Sequence, residues 1–256
     1  MLEFFQDPKV AEQVQYLLHN VPYAIWETIY STVLATFFAY IIGLPLGIIL
    51  VTGEKGGIRP LPSPLMKLLN ILINILRSVP FLILMVVVFP LARVIVGTSI
   101  GTKASIVPLT IAAFPFVARL VEASLREMDG GVIEAAQAMG CSTFQVIWKV
   151  ILPESLPSLL TSFTTAFVTI LGYGAMAGAI GAGGLGNMAL NRGYTRHMMV
   201  VLYVSVIFLV ILVQVFQSLG GHFAAALDRR NRSPKSLTRA ARAHADKNRR
   251  SGDPTL

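Results

Sequence analysis

The chain has 256 residues, of which 54% are hydrophobic and 13% are charged. Soluble domains carry about 25% charged residues, so this composition, with a mean hydropathy of +0.68, excludes an ordinary soluble protein and indicates a membrane protein. The net charge of +8 arises mostly in residues 228–256, where nine Lys and Arg accompany three Asp. Such a basic tail is typical of the cytoplasmic side of a membrane protein and does not indicate nucleic-acid binding. The alternative is that the tail binds membrane lipid, through the anionic head groups.

Five stretches are apolar and long enough to cross a bilayer, which needs about 20 such residues per helix. They lie at about 28–51, 68–90, 104–121, 155–180 and 198–219. The predicted fold is therefore all-α and polytopic, with five transmembrane helices within residues 28–221. An acidic segment, 1–27, is expected outside the membrane before them, and a short polar loop, 186–197, is expected between the last two.

The first span contains Gly43 and Gly47, which lie one helical turn apart. Such a pair of small residues permits another helix to pack closely. The alternative is that Gly43 and Pro45 only bend the helix, and the sequence leaves both interpretations open.

The second span carries polar residues at Asn70, Asn74, Arg77 and Ser78, spaced by about one helical turn. Polar groups inside a span usually face the interior of a helix bundle or a wet cavity. Asn74, Arg77 and Ser78 are therefore candidates for the bundle interior or a transport pathway. The alternative for Arg77 is a position near the membrane interface, with its charged end reaching water.

Residues 129–153, here called the connector, separate two apolar stretches. Asp129 or Gly130 is predicted to begin a short helix, and Gly140 to end it because glycine readily adopts the left-handed conformation. Ser142 and Gln145 fit a capping box that opens a second helix. Pro153 is expected to end that helix and to turn the chain into the fourth span.

The surface of the first connector helix is predicted to present Glu134, Ala135, Ala136 and Ala138. Small side chains allow the groove of another protein to approach the backbone closely. A segment held at both ends by membrane helices would also transmit movement. The alternative is a simple link between two helices.

The fourth span is rich in small and hydroxylated residues, which usually mark contacts between helices. Met176 is the only long side chain in its neighbourhood. If this span packs near a two-fold axis, Met176 is a candidate gate that closes the path together with Met176 of a second copy; the alternative is ordinary packing. The sequence GAGGLG at 181–186 predicts a tight turn between crowded backbones. It lacks the strand and helix context of a dinucleotide site.

No phosphate-binding G-x-x-x-x-G-K-[ST] motif, paired carboxylates or Ser-His-Asp arrangement is present, and the four histidines are scattered. We therefore predict no catalytic residue, metal or cofactor, and any ATP-driven work would come from a partner. Fifteen Lys and Arg lie in the segments on one side of the five spans and five on the other. Positive charge favours the cytoplasm, so the N-terminus is expected outside and the connector and C-terminus inside.

The pattern E-A-A, three residues, G, nine residues, and Val150-Ile151-Leu152-Pro153 resembles the cytoplasmic motif of bacterial ABC importer permeases, with valine for their usual isoleucine at 150. The stretches 74–84, 93–101, 106–122 and 171–186 resemble the permease family of methionine importers, and the likeness covers about residues 28–221. It implies a bacterial inner-membrane location, two copies of the chain, two ATP-binding subunits and a periplasmic methionine-binding lipoprotein. It also implies a coupling helix that docks on the ATPase through Glu134, Ala135, Ala136, Ala138, Gly140 and Pro153.

The expected function is import of methionine by alternating access, with ATP hydrolysed by the partner. One rival is an ABC permease for another amino acid or a quaternary amine. A second is a secondary transporter or channel, although such proteins usually contain repeats with broken helices and ionisable residues at the membrane centre. A third is a membrane scaffold that does not transport.

Overall fold

The structure is a computed structural model that describes residues 8–227, and over that range it is helical without any β-strand. The first seven residues and the predicted basic cytoplasmic tail, 228–256, lie outside the described residues. The α-helices in chain order are α1 (Pro8–Thr52), α2 (Ser63–Ser78), α3 (Phe81–Val96), α4 (Thr102–Arg126), α5 (Gly130–Ala138), α6 (Thr143–Val146), α7 (Leu152–Glu154), α8 (Leu156–Ala177), α9 (Gly184–Asn187) and α10 (Met199–Leu227).

Four stretches of helix are long and apolar enough to cross a membrane, namely Val10–Thr52, Thr102–Arg126, Leu156–Ile180 and Met199–Leu227. Helices α2 and α3 pass the same test together but meet at 107°. Counting that bent pair as one span gives five among the described residues, which agrees with the predicted all-α membrane fold.

The prediction of a single span at 68–90 is wrong in shape, because α2 ends at Ser78 and α3 begins at Phe81. Between them Val79 is extended, with ψ 126°, and Pro80 precedes the first turn of α3. A residue before proline is pushed out of the α-helical region, and Pro80 has no N–H to continue the helix. Val79 and Pro80 therefore determine where the helix is interrupted and the chain bends.

The first span also differs from its prediction, since α1 is helical from Pro8 and residues 8–27 form no separate segment. Polar residues in this stretch hid the helix from a search for apolar runs. The early turns are held by packing of Leu17 and Val21 against Val201 of α10. The side-chain oxygen of Gln13 also accepts a hydrogen bond from the Val200 amide at 3.0 Å.

The predicted polar loop at 186–197 is mostly helical, because α9 is followed by a π-helix, Met188–Tyr194. Its side chains are partly buried, and Met188 belongs to the cluster that contains Leu17. The polar residues of this stretch predicted a loop, but its apolar residues pack against the bundle and the segment is helical.

The core of the bundle lies between α1 and α4. A Cβ atom placed on Gly43 would lie 2.7 Å from Val117 Cγ1, and one on Gly47 would lie 2.6 Å from Val121 Cβ. These contacts confirm that the two glycines permit close helix packing, although Pro45 also lies within the same helix. Helix α4 continues to Arg126 and delivers the chain into the connector.

Candidate docking site

The connector begins with a helix, as predicted, and of the two predicted starting residues Asp129 caps it. A carboxylate oxygen of Asp129 accepts a hydrogen bond from the Gly131 amide at 2.9 Å, and α5 follows. At its end Gly140 has φ 79°, its amide donates to the Gln137 carbonyl, and the Cys141 amide donates to the Ala136 carbonyl. This pair of bonds is a Schellman motif, so the predicted stop at Gly140 is confirmed.

The second half of the connector opens with the predicted capping box. The Gln145 side chain accepts from the Ser142 amide at 2.8 Å, and the Ser142 hydroxyl accepts from the Gln145 amide at 3.4 Å. These two bonds satisfy donors that the first turn of α6 would otherwise leave unpaired.

The prediction that Pro153 ends this helix and turns the chain is wrong. A π-helical turn, Ile147–Ile151, follows α6, and Pro153 lies in the short α7 directly after it. The backbone then remains helical through Ser155 into α8. Proline removes one helical hydrogen bond, and the wider π turn changes the bonding pattern just before it. The connector therefore joins α8 as a nearly continuous helical path.

The inner face of the connector is buried against the membrane helices. Ala136, Val146 and Ile151 are 2%, 0% and 1% exposed, and they share one core cluster with Val121 and Leu125 of α4. The prediction that Ala136 lies on the surface is therefore wrong. The E-A-A pattern could not separate neighbouring alanines by face, whereas the helix turns Ala136 inward and Ala135 outward.

The outer face of the connector carries Glu134, Ala135 and Ala138, all of them exposed. The large apolar side chains that this segment exposes most are Met139, Phe144 and Trp148, at 77%, 69% and 57%. The rings of Phe144 and Trp148 lie 5.9 Å apart between centroids. Sequence reasoning missed this apolar ridge, although large apolar letters in a predicted cytoplasmic segment were the available signal. Contiguous exposed apolar groups mark interaction sites.

An ion-pair network holds α4 at the base of the connector. Arg119 binds Glu122 at 2.7 Å and the side-chain oxygen of Asn70 at 2.8 Å, whereas Arg126 binds Glu122 at 2.8 Å and Glu54 at 2.6 Å. The network joins α4 to α2 and to the end of α1. Rigid attachment of this kind allows the connector and the membrane helices to move together.

The Arg126 guanidinium, by its hydrogen bond, holds the pKa of the Glu54 carboxyl below its usual value near 4.5. A lowered pKa in the folded state means that the pair stabilises the fold above the ordinary pKa, and that this contribution is lost as the pH falls through the lowered value. Both side chains are about half exposed, so the contribution is small.

The polar residues predicted in the second span separate in the structure. Asn74 accepts a hydrogen bond from Arg119 at 3.0 Å, and the Ser78 hydroxyl donates to the carbonyl of Asn74. Asn74, Arg77 and Ser78 are all exposed on the single chain, which therefore does not itself enclose them, and their position in the bundle interior stays a prediction. Arg77 lines a cavity of about 260 Å³ at the α2–α3 bend, and a pathway role stays a prediction.

Met176 projects from the end of α8 and is 52% exposed. Packing inside its own chain therefore does not account for most of its surface. One turn earlier Tyr173 stacks on Phe81 of α3, with 4.4 Å between ring centroids. The predicted gate requires a second copy of the chain and stays a prediction.

The GAGGLG stretch forms the predicted tight turn. A Cβ atom on Gly186 would lie 2.3 Å from the Ala175 carbonyl oxygen, and Gly183 and Gly184 have φ 82° and 70°. Glu27 accepts hydrogen bonds from the Gly184 amide at 2.8 Å and from Thr102 at 2.7 Å. Glu27 had been predicted to lie in an extramembrane segment, and its role as a joint between α1, α4 and this turn was missed. The available signal in the sequence was a single acidic residue, Glu27, directly before a long run without charged residues.

Within residues 8–227 no three His, Cys, Asp or Glu side chains form a group suited to a metal ion. The connector is a rigid segment with capped helices and a buried inner face. Its exposed outer face has the small and apolar side chains that suit contact with another protein.

Residues 43–233 of the chain match the family described as the inner membrane component of binding-protein-dependent transport systems. The match spans most of the sequence, and the chain belongs to this family.

Individual proteins of this family are similar to the chain over most of its length. The probable D-methionine transport system permease protein MetI of Vibrio cholerae serotype O1 is 47% identical over 207 residues, covering 81% of this chain and 92% of the relative. The D-methionine transport system permease protein MetI of Escherichia coli K12 is 46% identical over 154 residues, covering 60% and 70%. A solved structure of inward-facing conformations of the MetNI methionine ABC transporter is similar with a TM-score of 0.81 at 43% identity, covering 83% of this chain and 98% of that one.

Proposed function

We propose that this chain is the membrane-spanning subunit of an ATP-driven importer that carries methionine, in D or L form, into the cytoplasm by alternating access. The observation that carries the proposal is the connector, which is buried on its inner face and presents Glu134 and the apolar ridge on its outer face. The family match and the identity of 47% to a D-methionine transport permease support the same function.

The proposed assembly contains two copies of this chain, two ATP-binding subunits and a periplasmic methionine-binding lipoprotein, in the bacterial inner membrane. The connector and the C-terminus face the cytoplasm and the N-terminus faces the periplasm, because the segments at the connector end carry most of the Lys and Arg. The chain itself is not an enzyme and uses no cofactor, since ATP is bound and hydrolysed by the partner.

The docking surface consists of Glu134, Ala135 and Ala138, with Gly140 and Pro153 setting the path of the backbone. Ala136 contributes from within, because its methyl group packs on the core. When the ATPase dimer closes, it moves the connectors, and the ion-pair network and the helical path into α8 transmit that movement to the spans.

A charge reversal at Glu134 tests this function. We expect Glu134→Lys to reduce ATP-driven methionine uptake about tenfold or more, because loss of a docked charge typically costs about 2–5 kcal/mol at an interface. Membrane insertion should be unchanged, since the side chain is exposed. Uptake of labelled methionine and ATP hydrolysis are measured in vesicles with the co-purified ATPase and the binding protein.

The matched control is Glu12→Lys, which reverses an exposed carboxylate on α1 far along the chain from the connector. This variant should import at the wild-type rate. Normal import by Glu134→Lys would refute the docking assignment, and failure of the wild type to import methionine would refute the substrate.

A further inference from the structure

A cavity of about 480 Å³ opens beside the connector, where three parts of the chain meet. Its walls come from the end of α4, from the start of α8 with the turn before it, and from the end of α10. The residues that matter for its chemistry are Glu127, Glu154, Ser155, Ser158, Ala224 and Ala225.

The cavity is acidic. Glu127 and Glu154 are exposed at its rim, and none of its described lining residues is basic. The other two cavities described for residues 8–227 differ in this respect, since one is lined by Lys55 and Lys67 and the other by Arg77. Glu127 is held in place by a hydrogen bond from the Ser158 hydroxyl at 2.7 Å. An ionised carboxylate has about four acceptor positions, so it can accept further donors.

The cavity also contains a buried polar group without a partner. Ser155 is 4% exposed, and its hydroxyl forms no hydrogen bond with the described part of the chain. Buried hydroxyls are normally hydrogen-bonded, because an unpaired one loses its bonds to water. A polar ligand in this cavity would give the unpaired hydroxyl a partner.

The position of the cavity identifies a candidate ligand within the chain. Ala224 and Ala225 of α10 line it, and the described part of α10 ends at Leu227. The sequence then continues as RRNRSPK at 229–235, with four bases in seven residues. The basic run begins four positions after Ala225 of the cavity wall. Because a chain spans at most about 3.3–3.6 Å per residue, the run can reach only the surface close to this wall at its start.

We propose that the basic run 229–235 docks into this acidic cavity of its own chain. Arginine suits the site, because its planar guanidinium pairs with carboxylates through two parallel hydrogen bonds. The short tether makes the event intramolecular, with an effective concentration of about 1 mM or more, so even weak contacts are occupied. Because Glu154 and Ser155 directly follow Pro153 of the connector, the docked run ties the end of α10 to the connector.

Cysteine crosslinking tests the docked state in the full-length chain, together with the partners that purify with it, in phosphatidylcholine vesicles. The native Cys141 is replaced by serine, and the test pair is Thr161→Cys in the cavity wall with Ser233→Cys in the basic run. The control pair joins Ser233→Cys to Ser63→Cys, an exposed position at the start of α2. We expect the test pair to crosslink at least about tenfold faster, because docking raises the local concentration.

Charge is tested separately. Crosslinking of the test pair should fall about fivefold or more in 1 M NaCl, where the Debye length is about 3 Å. It should fall similarly when Glu127 and Glu154 are changed to glutamine. A second variant, with Arg229, Arg230, Arg232 and Lys235 changed to glutamine, gives the same test without altering any described helix.

Equal rates for the two pairs, or a rate insensitive to all of these changes, would overturn the proposal. Loss of crosslinking on addition of anionic phosphatidylglycerol would assign the basic run to lipid and also overturn it. Crosslinking that appears only after the ATPase has been removed would assign the cavity to that partner, with the same consequence. Methionine uptake plays no part in this measurement, so its outcome is independent of the proposed function.

Discussion

At Gly47 the backbones of α1 and α4 are so close that no side chain fits between them. A Cβ atom there would lie 2.6 Å from Val121 Cγ1 and 2.8 Å from the Ala118 carbonyl oxygen. The carbonyl belongs to the backbone and cannot move aside by a change of rotamer. The contact between the two central helices therefore depends on the absence of one methyl group.

We expect Gly47→Ala to lower the thermal midpoint of the detergent-solubilised protein. Overpacking typically costs about 1–3 kcal/mol, and alanine's better helix propensity gains about 1 kcal/mol. Because the added methyl group would meet a fixed backbone carbonyl, the cost of overpacking is expected to be the larger of the two. The control is Gly172→Ala in α8, where an added Cβ meets no atom within 4 Å, so the midpoint should stay or rise. An unchanged midpoint for Gly47→Ala would contradict the close packing.

At the scale of elements, the connector shows how local chemistry and packing combine. Asp129, the Schellman motif at Gly140 and the capping box at Ser142 define where its helices begin and end. Each motif acts over a few residues, and the sequence predicted the stop at Gly140 and the capping box at Ser142, whereas it left the first helix to start at Asp129 or Gly130. The motifs leave open which face of each helix is buried.

We expect Gly140→Ala to loosen the connector without any steric clash. An added Cβ would meet no atom within 4 Å, but φ is +79°, and a left-handed conformation costs an L-residue roughly 1–2 kcal/mol. Amide hydrogen exchange in α5 should accelerate about tenfold, since local opening follows this free energy.

The control for this variant is Gly130→Ala in the first turn of α5, which also has free space but is not among the glycines with positive φ. It should exchange at the wild-type rate. If both variants exchanged alike, the left-handed turn would not be what holds the connector.

At the scale of the whole molecule, several apolar surfaces are exposed on the single chain and are expected to be covered by lipid or by another subunit. Helix α10 exposes most of its apolar surface, and Met176 of α8 is half exposed beside the small residues of its helix. Surfaces of α10 can face lipid. Met176, in contrast, is predicted to meet its counterpart in the proposed second copy and to close the path.

We expect Met176→Ala to raise basal ATP hydrolysis and the leak of labelled methionine from vesicles several-fold, because truncation opens a path that the two long side chains obstruct. Met199→Ala, a comparably exposed methionine on α10 at 43%, serves as the control and should change neither. If Met176→Ala left both measurements at wild-type values, the gate would be refuted.

The sequence by itself determined the membrane class, the all-α fold and the caps of the connector. Runs of apolar residues are counted along the chain, and caps depend on neighbours within four residues. The resemblance of residues 134–153 to a family motif also identified the class of transporter, because the motif is continuous in sequence.

The tertiary structure alone decided which faces of these helices meet. It turned Ala136 into the core, exposed Asn74, Arg77 and Ser78, and joined Glu27 to Gly184 across 157 positions of sequence. It also formed the acidic cavity from three distant segments. Burial and hydrogen bonding depend on which helices pack together, and that arrangement follows from contacts over the whole bundle, which no local pattern records.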